Sequence, residues 1–206
     1  MILKPTNENI RLITEKLLNG DVIIFPTDTV FGIGCIATNT KAIEKIYKLK
    51  GREKTKSLLL NVANITTIKK FAKVSKLDNL LIKKFMPGAL SLILNVKNQT
   101  PLSHYVIKDN KVGIRIPNNQ TLLKILKKIK LPLISSSCNL SGKPACINAK
   151  DAEKIFGKDI IILDSYEKLS GLSSTIIDTT EKEIKYIREG KIKFKEIKKI
   201  ISQSFQ

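Results

Sequence analysis

Short apolar runs alternate with longer amphipathic segments along most of this chain. The apolar runs predict buried strands at 22–25, 57–62, 89–96, 111–116, 131–137 and 159–164. Apolar residues at helical spacing predict helices at 7–19, 41–50, 65–73, 77–85, 120–129, 148–156 and 193–203, with Thr40 as an N-cap and Gly51 as a stop. Two further runs, 173–179 and 183–189, flank the sequence TEK and predict a hairpin. Because βα units and hairpins occur together, we predict an α/β fold with a mixed sheet.

The stretch FPTDTVFGIG (25–34) follows the first predicted strand, which Pro26 ends. Two threonines flank Asp28, and Gly32 and Gly34 come shortly after. Small hydroxyl side chains and glycines leave the backbone open to close approach by another molecule. The stretch is therefore a candidate for part of a binding site.

Size and composition limit the class of protein. The chain has 206 residues, 42% of them hydrophobic, which suits one domain with a full core. It has no apolar run of 18 residues, and its N-terminus lacks the apolar centre of a signal peptide. We therefore expect a cytoplasmic protein. With three cysteines, no CxxC and one histidine, a disulfide framework or zinc site is not expected.

The net charge of +19 favours a partner that carries phosphate, although a lysine-rich composition imposed by an AT-rich genome would give the same charge. Only four of the 37 basic residues are arginine. Arg52, Arg115 and Arg188 each lie in or beside a motif-like stretch, which favours a ligand-binding role. The alternative role for these arginines is a surface ion pair. A guanidinium grips a phosphate or carboxylate at two points, which lysine cannot do.

Two other polar stretches are candidates for ligand contacts. LISSSCNLSG (133–142) puts serines and an asparagine just past a predicted strand, where they could cradle a phosphate or hold a carboxylate. An ordinary serine-rich turn is equally compatible with this stretch. LKGREKTKS (49–57) gathers four basic residues, which could also form a solvated face. Neither stretch matches GxxxxGK[ST] or GxGxxG.

Taken together, seven stretches resemble the YrdC family in their order and spacing. They are FPTDTVFGIG, LKGREKTKSLLLNV, FMPGALSLIL, VGIRIP, ISSSCNLSGKP, SSTIID and IREG. The similarity runs from about Asp21 to Gly190 and indicates the short form of the family. It implies one YrdC-like domain at 7–206, built as a twisted mixed sheet with flanking helices and a basic concave face.

The resemblance also implies an activity. The family makes L-threonylcarbamoyladenylate and diphosphate from L-threonine, bicarbonate and ATP, which is a nucleotidyltransferase reaction. The product serves the modification of adenosine 37 in tRNAs that read ANN codons, so tRNA threonylcarbamoyl transferase proteins are the implied downstream partners. Mg²⁺ is the implied cofactor and would bind with ATP, without a dedicated protein site.

The resemblance further assigns roles to particular residues. Threonine contacts are implied for Thr29, Arg115, Ser135 and Ser174. ATP contacts are implied for Arg52, Lys56, Lys111, Ser137, Asn139 and Arg188. Lys50 and Arg52, which form the KxR signature, are the implied catalytic residues, because they would share the charge of the leaving diphosphate.

The chain departs from the family pattern at three points. PGALS (87–91) replaces the usual PGPxT but keeps a hydroxyl at Ser91. Cys138 gives SCN instead of SAN, and packing is the expected role of its thiol. Asn61 lies where many members carry histidine, and it is not among the predicted threonine contacts.

An alternative function is a double-stranded RNA- or tRNA-binding module without catalysis, which would use the basic concave face. Such a module needs only dispersed lysines. Arginines, serines and an asparagine placed in motifs favour a small, shaped ligand instead. The sequence therefore predicts the enzyme in preference to the binding module.

Overall fold

The computed structural model describes residues 1–204, in which ten strands form one sheet flanked by seven helices. The strands are β1 (Ile2–Leu3), β2 (Ile23–Phe25), β3 (Gly32–Ile36), β4 (Leu59–Asn61), β5 (Leu90–Asn95), β6 (Lys111–Arg115), β7 (Leu133–Ser137), β8 (Ile161–Leu163), β9 (Thr175–Asp178) and β10 (Lys185–Arg188). The helices are α1 (Asn7–Leu18), α2 (Thr40–Lys50), α3 (Ile65–Phe71), α4 (Lys76–Phe85), α5 (Gln120–Ile129), α6 (Ala149–Phe156) and α7 (Phe194–Ser204).

The sheet is mixed, as predicted. Its strand order is β1-β8-β2-β3-β7-β4-β6-β5-β9-β10. The β1/β8, β2/β8, β4/β6 and β5/β9 pairs are parallel, and the other five neighbouring pairs are antiparallel. The predicted hairpin is confirmed as β9 and β10. In this order, strands that are far apart in sequence are neighbours in the sheet. The polar residues of β7, β4 and β6 are therefore brought together.

Side-chain caps explain where most of the helices begin. An asparagine accepts a hydrogen bond from the first turn of α2, α3, α5 and α6, and Ser75 forms a capping box with Asp78 at α4. The N-cap of α2 is Asn39, one residue before the predicted Thr40. Gly51 ends α2 in the left-handed conformation, as expected of a C-terminal glycine. The asparagine-rich composition thus has a structural use.

Two strands were not predicted. β3 lies within the stretch after Pro26, which was predicted only as a candidate part of a binding site, because its glycines hide the alternation that marks a strand. β1 is only two residues long and precedes residue 7, where the predicted domain begins. Residues 205–206, at the end of that predicted domain, lie outside the described residues. Within 1–204, no helix combines the length and the apolar character needed to cross a membrane.

The two faces of the central strands differ in chemistry, because side chains alternate along a strand. One face carries Ile33, Leu60, Ile114 and Ile134, which are fully buried in the core. The register places the intervening residues together on the other face: Gly32 and Gly34 of β3, Ser135 and Ser137 of β7, Leu59 and Asn61 of β4, and Gly113 and Arg115 of β6. Of these residues, Gly32, Gly113 and the polar ones leave space and hydrogen-bonding groups on this face, whereas Gly34 is covered by the Phe25 ring.

Candidate active site

A cavity of about 440 Å³ lies over the polar face of the sheet. This volume is typical of a small-molecule site. Eight of the eleven predicted site residues line it: Thr29, Arg52, Lys111, Arg115, Ser135, Ser137, Ser174 and Arg188. Lys50, Lys56 and Asn139 do not line it. The predicted residues come from six separate parts of the chain, so the fold has assembled them.

Three of the four arginines of the chain line this cavity. They are Arg52, Arg115 and Arg188, which the sequence singled out. The fourth, Arg11, is an exposed residue of α1 and pairs with Glu15 one turn later. The guanidinium groups are thus concentrated where the cavity is, while lysine supplies most of the charge elsewhere.

Arg115 is buried and held on three sides. Its Nη2 donates to Asp28 Oδ1 at 2.5 Å, its Nη1 to Thr29 Oγ1 at 3.2 Å, and its Nε to the Gly88 carbonyl at 2.7 Å. Burial lowers the pKa of Arg115, and the Asp28 carboxylate acts in the opposite direction. A guanidinium has five N–H groups. Among the described residues these three contacts use one N–H on each nitrogen, which leaves one on each terminal nitrogen for a carboxylate.

Thr27, rather than Thr29, closes the turn after Pro26. The Thr27 hydroxyl donates to the Val30 carbonyl at 2.7 Å and accepts from the backbone N–H groups of Thr29 and Val30. Since its proton is used in this way, the Thr29 hydroxyl is the donor in the 2.9 Å contact between the two side chains. Thr29 also accepts from Arg115. Towards a ligand, Thr29 is therefore an acceptor.

Arg188 is anchored to Ser174, the residue before β9. Its Nε and Nη2 donate to the Ser174 carbonyl at 3.1 and 2.9 Å, and Nη2 also contacts Ser174 Oγ at 3.3 Å. Ser91, the hydroxyl kept by PGALS, is fully buried and donates to Ser174 Oγ. Burial and the positive charge of Arg115 both lower the pKa of Arg188. Two guanidiniums close enough to repel each other would be stabilised by an anion between them.

Arg52 lies at the loop that follows α2. Its side chain donates to the carbonyl groups of Lys56 and Ser57 at 3.3 and 3.1 Å, so the loop holds the guanidinium at the edge of the cavity. The Lys56 ammonium is exposed and pairs with Glu53. Unlike Arg52, Lys56 does not line the cavity, and its ATP contact stays a prediction.

Lys50 contacts the loop that follows β7, and its predicted catalytic role stays a prediction. The residue is 1% exposed, and its Nζ donates to the Ser137 and Asn139 carbonyl groups and to Asn139 Oδ1. Burial lowers its pKa to about 8. Asn139 is equally occupied, because it also accepts from Ser137 and donates to the Leu140 and Lys143 carbonyl groups. Lys50 and Asn139 thus position Ser137 and do not reach into the cavity.

Lys111 lines the cavity, but its ammonium is committed to carboxylates. Its Nζ lies 3.1 Å from Asp178 and 3.0 Å from Glu181. These contacts raise the pKa of Lys111. The backbone N–H and carbonyl groups of Lys111 are paired with those of Lys108, and the predicted ATP contact of Lys111 stays a prediction.

Asn61 is a cavity residue that the sequence-based selection left out. It is 3% exposed and donates from Nδ2 to Ser135 Oγ at 2.6 Å. The sequence signal that could have identified Asn61 is its position as a polar residue at the end of an apolar run.

Cys138 follows β7 directly and is fully buried. Burial raises the pKa of its thiol, so packing is its role, as expected.

Comparisons with known proteins find relatives over most of the chain. Residues 15–190 match the family model Sua5/YciO/YrdC, described as "Telomere recombination". A Pyrococcus abyssi threonylcarbamoyl-AMP synthase is 32% identical over 94% of this chain, and a Bacillus subtilis protein of the same name is 32% identical over 97%. A Methanocaldococcus jannaschii protein is 36% identical over 89% of this chain and 86% of its own length.

Solved structures show the same fold. P. abyssi Sua5 complexed with L-threonine superposes with a TM-score of 0.92 and 29% identity, covering 98% of this chain and 61% of the Sua5 chain. Escherichia coli YciO gives a TM-score of 0.82 at 22% identity, covering 93% of this chain and 95% of YciO. The present chain spans 57% and 58% of the P. abyssi and B. subtilis synthases.

Proposed function

We propose, from the premise that this chain belongs to the Sua5/YciO/YrdC family, that it is a threonylcarbamoyl-AMP synthase. It would form L-threonylcarbamoyladenylate and diphosphate from L-threonine, bicarbonate and ATP. The observation that carries this proposal is the convergence of Arg52, Arg115 and Arg188 on one cavity floored by serines and glycines. Such a cavity suits a ligand that carries several negative charges.

The cavity offers complementary groups to threonine. The two remaining N–H groups of Arg115 suit a carboxylate, and the Thr29 oxygen, an acceptor, suits the amine beside it. Ser135 and Ser174, the other predicted threonine contacts, lie in the same lining. The L-threonine bound to the related P. abyssi Sua5 supports this choice of substrate.

The proposed reaction has two bond-forming steps. Bicarbonate takes up a proton and loses water to give CO₂; the neutral threonine amine then attacks its carbon, one C–O π bond opens to an oxygen anion, and the amine releases a proton to water, which gives a carbamate. A carbamate oxygen then attacks the α-phosphorus of ATP, the bond to the bridging oxygen breaks, and diphosphate leaves with the bonding electrons. Arg52 and Arg188 would stabilise the phosphate charge, so positioning and electrostatic stabilisation account for catalysis.

Mg²⁺ is proposed to enter with ATP. Residues 1–204 contain no group of three or more His, Cys, Asp or Glu side chains suited to a metal. The carboxylates that line the cavity are Asp109 and Asp178, and Asp178 already accepts from Lys111 and Thr180. With so few carboxylates available, the cavity suits a Mg²⁺ ion that is held mainly by phosphate oxygens and water. When bound, Mg²⁺ would neutralise charge on the phosphates.

The wider setting is part of the same proposal. The product would pass to tRNA threonylcarbamoyl transferase proteins for modification of adenosine 37 in the cytoplasm. We propose RNA binding on the basic concave face only as a secondary interaction. RNA binding is not favoured as the main function. The cavity brings arginine and serine side chains together in a fixed geometry, whereas electrostatic binding of RNA requires only positive charge on the surface.

A direct test is diphosphate release by the purified protein with ATP, L-threonine, bicarbonate and Mg²⁺. Release is expected only when all are present, and omission of threonine or bicarbonate should abolish it. Diphosphate release that is independent of threonine would contradict the proposed function.

Arg52→Ala is expected to reduce kcat/KM for ATP about 10- to 100-fold while the melting temperature stays close to that of the wild type. The reason is that a charge-assisted hydrogen bond contributes about 1.5–3 kcal/mol, and Arg52 otherwise contacts only loop carbonyl groups among the described residues. Arg52→Lys should recover part of the loss, because the charge remains and the fork does not. Arg11→Ala is the matched control and should behave as the wild type. Normal ATP kinetics in Arg52→Ala would exclude this role.

Thr29→Val is expected to raise KM for threonine about 10- to 100-fold, since a lost acceptor in a buried site costs about 1–3 kcal/mol. The affinity for ATP, measured without threonine, should hardly change. Titrations with each ligand, together with a melting curve, measure these effects.

Thr27→Val provides the control for a purely structural effect. Thr27 closes the turn, so its replacement should lower the melting temperature more than Thr29→Val does. If Thr29→Val instead weakened both ligands equally and lowered the melting temperature, Thr29 would have only a structural role.

A further inference from the structure

The loop 51–58, between α2 and β4, carries Arg52 at the edge of the cavity. Among the described residues, the only backbone–backbone hydrogen bond of residues 53–57 joins the Lys56 N–H to the Glu53 carbonyl, inside the loop itself. A loop with so few backbone hydrogen bonds depends on side chains for a fixed position. The side chains that hold it therefore set the direction of Arg52.

Tyr47 of α2 holds the carbonyl group that Arg52 contacts. The tyrosine is 2% exposed, and its hydroxyl donates to the Lys56 carbonyl at 2.9 Å. The same carbonyl accepts from Arg52 Nε at 3.3 Å, and its oxygen has two lone pairs for the two donors. Arg52 Nη2 also donates to the neighbouring Ser57 carbonyl. The Tyr47 hydroxyl thus fixes one of the two acceptors that orient the guanidinium.

A second tyrosine holds the outer side of the loop. The rings of Tyr105 and Tyr47 are tilted against each other, with centroids 5.5 Å apart. The Tyr105 hydroxyl accepts from Lys54 Nζ at 2.9 Å and donates to Glu44 at 2.7 Å. These outer contacts are exposed, whereas the Tyr47 contact is partly buried, so water competes less with it. Tyr47 is therefore the stronger of the two attachments.

The contacts of Arg52 leave its charge available. Glu44 and Glu53, the carboxylates beside the loop, pair with Lys54 and Lys56. Among residues 1–204, Arg52 itself forms no ion pair and donates only to carbonyl groups, through Nε and Nη2. Three of its five N–H groups therefore remain for an anion. A neutral hydroxyl at Tyr47 fixes the loop without neutralising the guanidinium.

We propose that Tyr47 is a positioning residue, which holds Arg52 in the direction that the phosphates of ATP require. This inference rests on the proposed function, in which Arg52 contacts ATP. Tyr47 does not line the cavity, so its hydroxyl acts through the Lys56 carbonyl and does not touch the substrate. A guanidinium that is oriented before ATP binds avoids the entropy cost of ordering the loop on binding.

Tyr47→Phe tests this role, because it removes the hydroxyl and keeps the ring in the core. It should weaken ATP binding about 2- to 10-fold, which is the range for one neutral hydrogen bond. Calorimetric titration with ATP and Mg²⁺, without threonine, measures this loss, and the affinity for threonine should stay unchanged. Tyr166→Phe is the matched control: its side chain is 74% exposed, and the variant should behave as the wild type.

A double-mutant cycle separates positioning from packing. If the hydroxyl acts through Arg52, Tyr47→Phe should cause no further loss of ATP affinity in a protein that already carries Arg52→Ala. Losses that add in the double variant would overturn the proposal. An unchanged ATP affinity in Tyr47→Phe, or an equal loss of threonine affinity, would overturn it too.

Limited digestion with trypsin gives a readout that needs no ligand. Trypsin cleaves after lysine and arginine, and the loop offers Arg52, Lys54 and Lys56. Cleavage after these residues should be faster in Tyr47→Phe than in the wild type or in Tyr166→Phe, because the loop opens more often. Equal cleavage rates would contradict the attachment of the loop by Tyr47.

The outcomes distinguish this inference from the proposed function. A wild type that binds ATP but releases no diphosphate would overturn the synthase activity, while the effect of Tyr47→Phe on ATP affinity would still decide the role of Tyr47. A wild type that does not bind ATP would overturn both. Loss of ATP affinity only in proteins that retain Arg52 supports the positioning role.

Discussion

Arg115→Ala is expected to lower kcat/KM for threonine by at least about 100-fold and to destabilise the protein by about 3–5 kcal/mol. The side chains of Arg115 and Asp28 are only 7% and 11% exposed. Removal of one partner leaves the other charge buried without compensation, which accounts for the stability loss. Loss of the two free N–H groups removes the charge-assisted contacts with the substrate carboxylate, which accounts for the loss of activity.

Three variants separate these two effects. Arg115→Lys keeps the charge beside Asp28 but loses the planar fork, so it should recover stability more than threonine affinity. Asp28→Asn tests the ion pair without removing the guanidinium. Arg11→Ala removes an exposed pair worth less than about 1 kcal/mol and should leave both quantities unchanged.

The measurements are urea unfolding at 25 °C and threonine titration at a temperature where each variant is folded. A threonine affinity in Arg115→Lys equal to that of the wild type would show that charge alone is needed there. Wild-type stability in Arg115→Ala would contradict the structural role of the Asp28 contact.

Gly34→Ala is expected to destabilise the sheet by about 3 kcal/mol or more, which corresponds to a fall of about 6–12 °C in melting temperature. Gly34 lies in β3 opposite Ser135 of β7. A Cβ there would lie 2.1 Å from the Ile134 carbonyl oxygen and about 3 Å from the Phe25 ring. Neither neighbour can move easily, because the first is backbone of the central sheet and the second is fully buried. The β3/β7 ladder would have to open.

Gly32→Ala provides a graded comparison on the same strand. Its Cβ would lie 3.3 Å from the Phe25 ring and 3.4 Å from Ser135 Cβ, which small shifts can relieve. The expected loss is therefore well below that of Gly34→Ala. Thermal unfolding of both variants, with hydrogen exchange of the β7 amides, measures the difference. Equal stability of the two would contradict this packing.

The helices could be predicted from sequence because their signals are local. Apolar spacing and capping residues lie within one segment, and seven predicted helices match α1 to α7 to within a few residues. β3 could not be predicted in this way. Its pattern GIGCI has glycines where an alternating pattern would have polar residues, so the strand lacks the polar half of that pattern.

Residue type helped most to predict which residues line the cavity where that type is rare. Arginine is so rare in this chain that its position in motifs was informative, and three of the four arginines do line the cavity. Lysine and asparagine are common, and for these the sequence could not separate a ligand contact from an internal one. Lys50 and Asn139 contact each other, whereas Asn61, which was not selected, lines the cavity.

The sequence by itself determined the helices, the buried strands other than β3, and the family, because each depends on residues close together or on motifs in order. Only the tertiary structure decided which side chains meet. Arg115, Asn61 and Ser135 are neighbours because β6, β4 and β7 pair in a particular register. A shift of one residue in that register would turn each of them to the opposite face. Long-range strand pairing therefore sets the direction of every side chain in the site, and no local stretch of sequence contains that information.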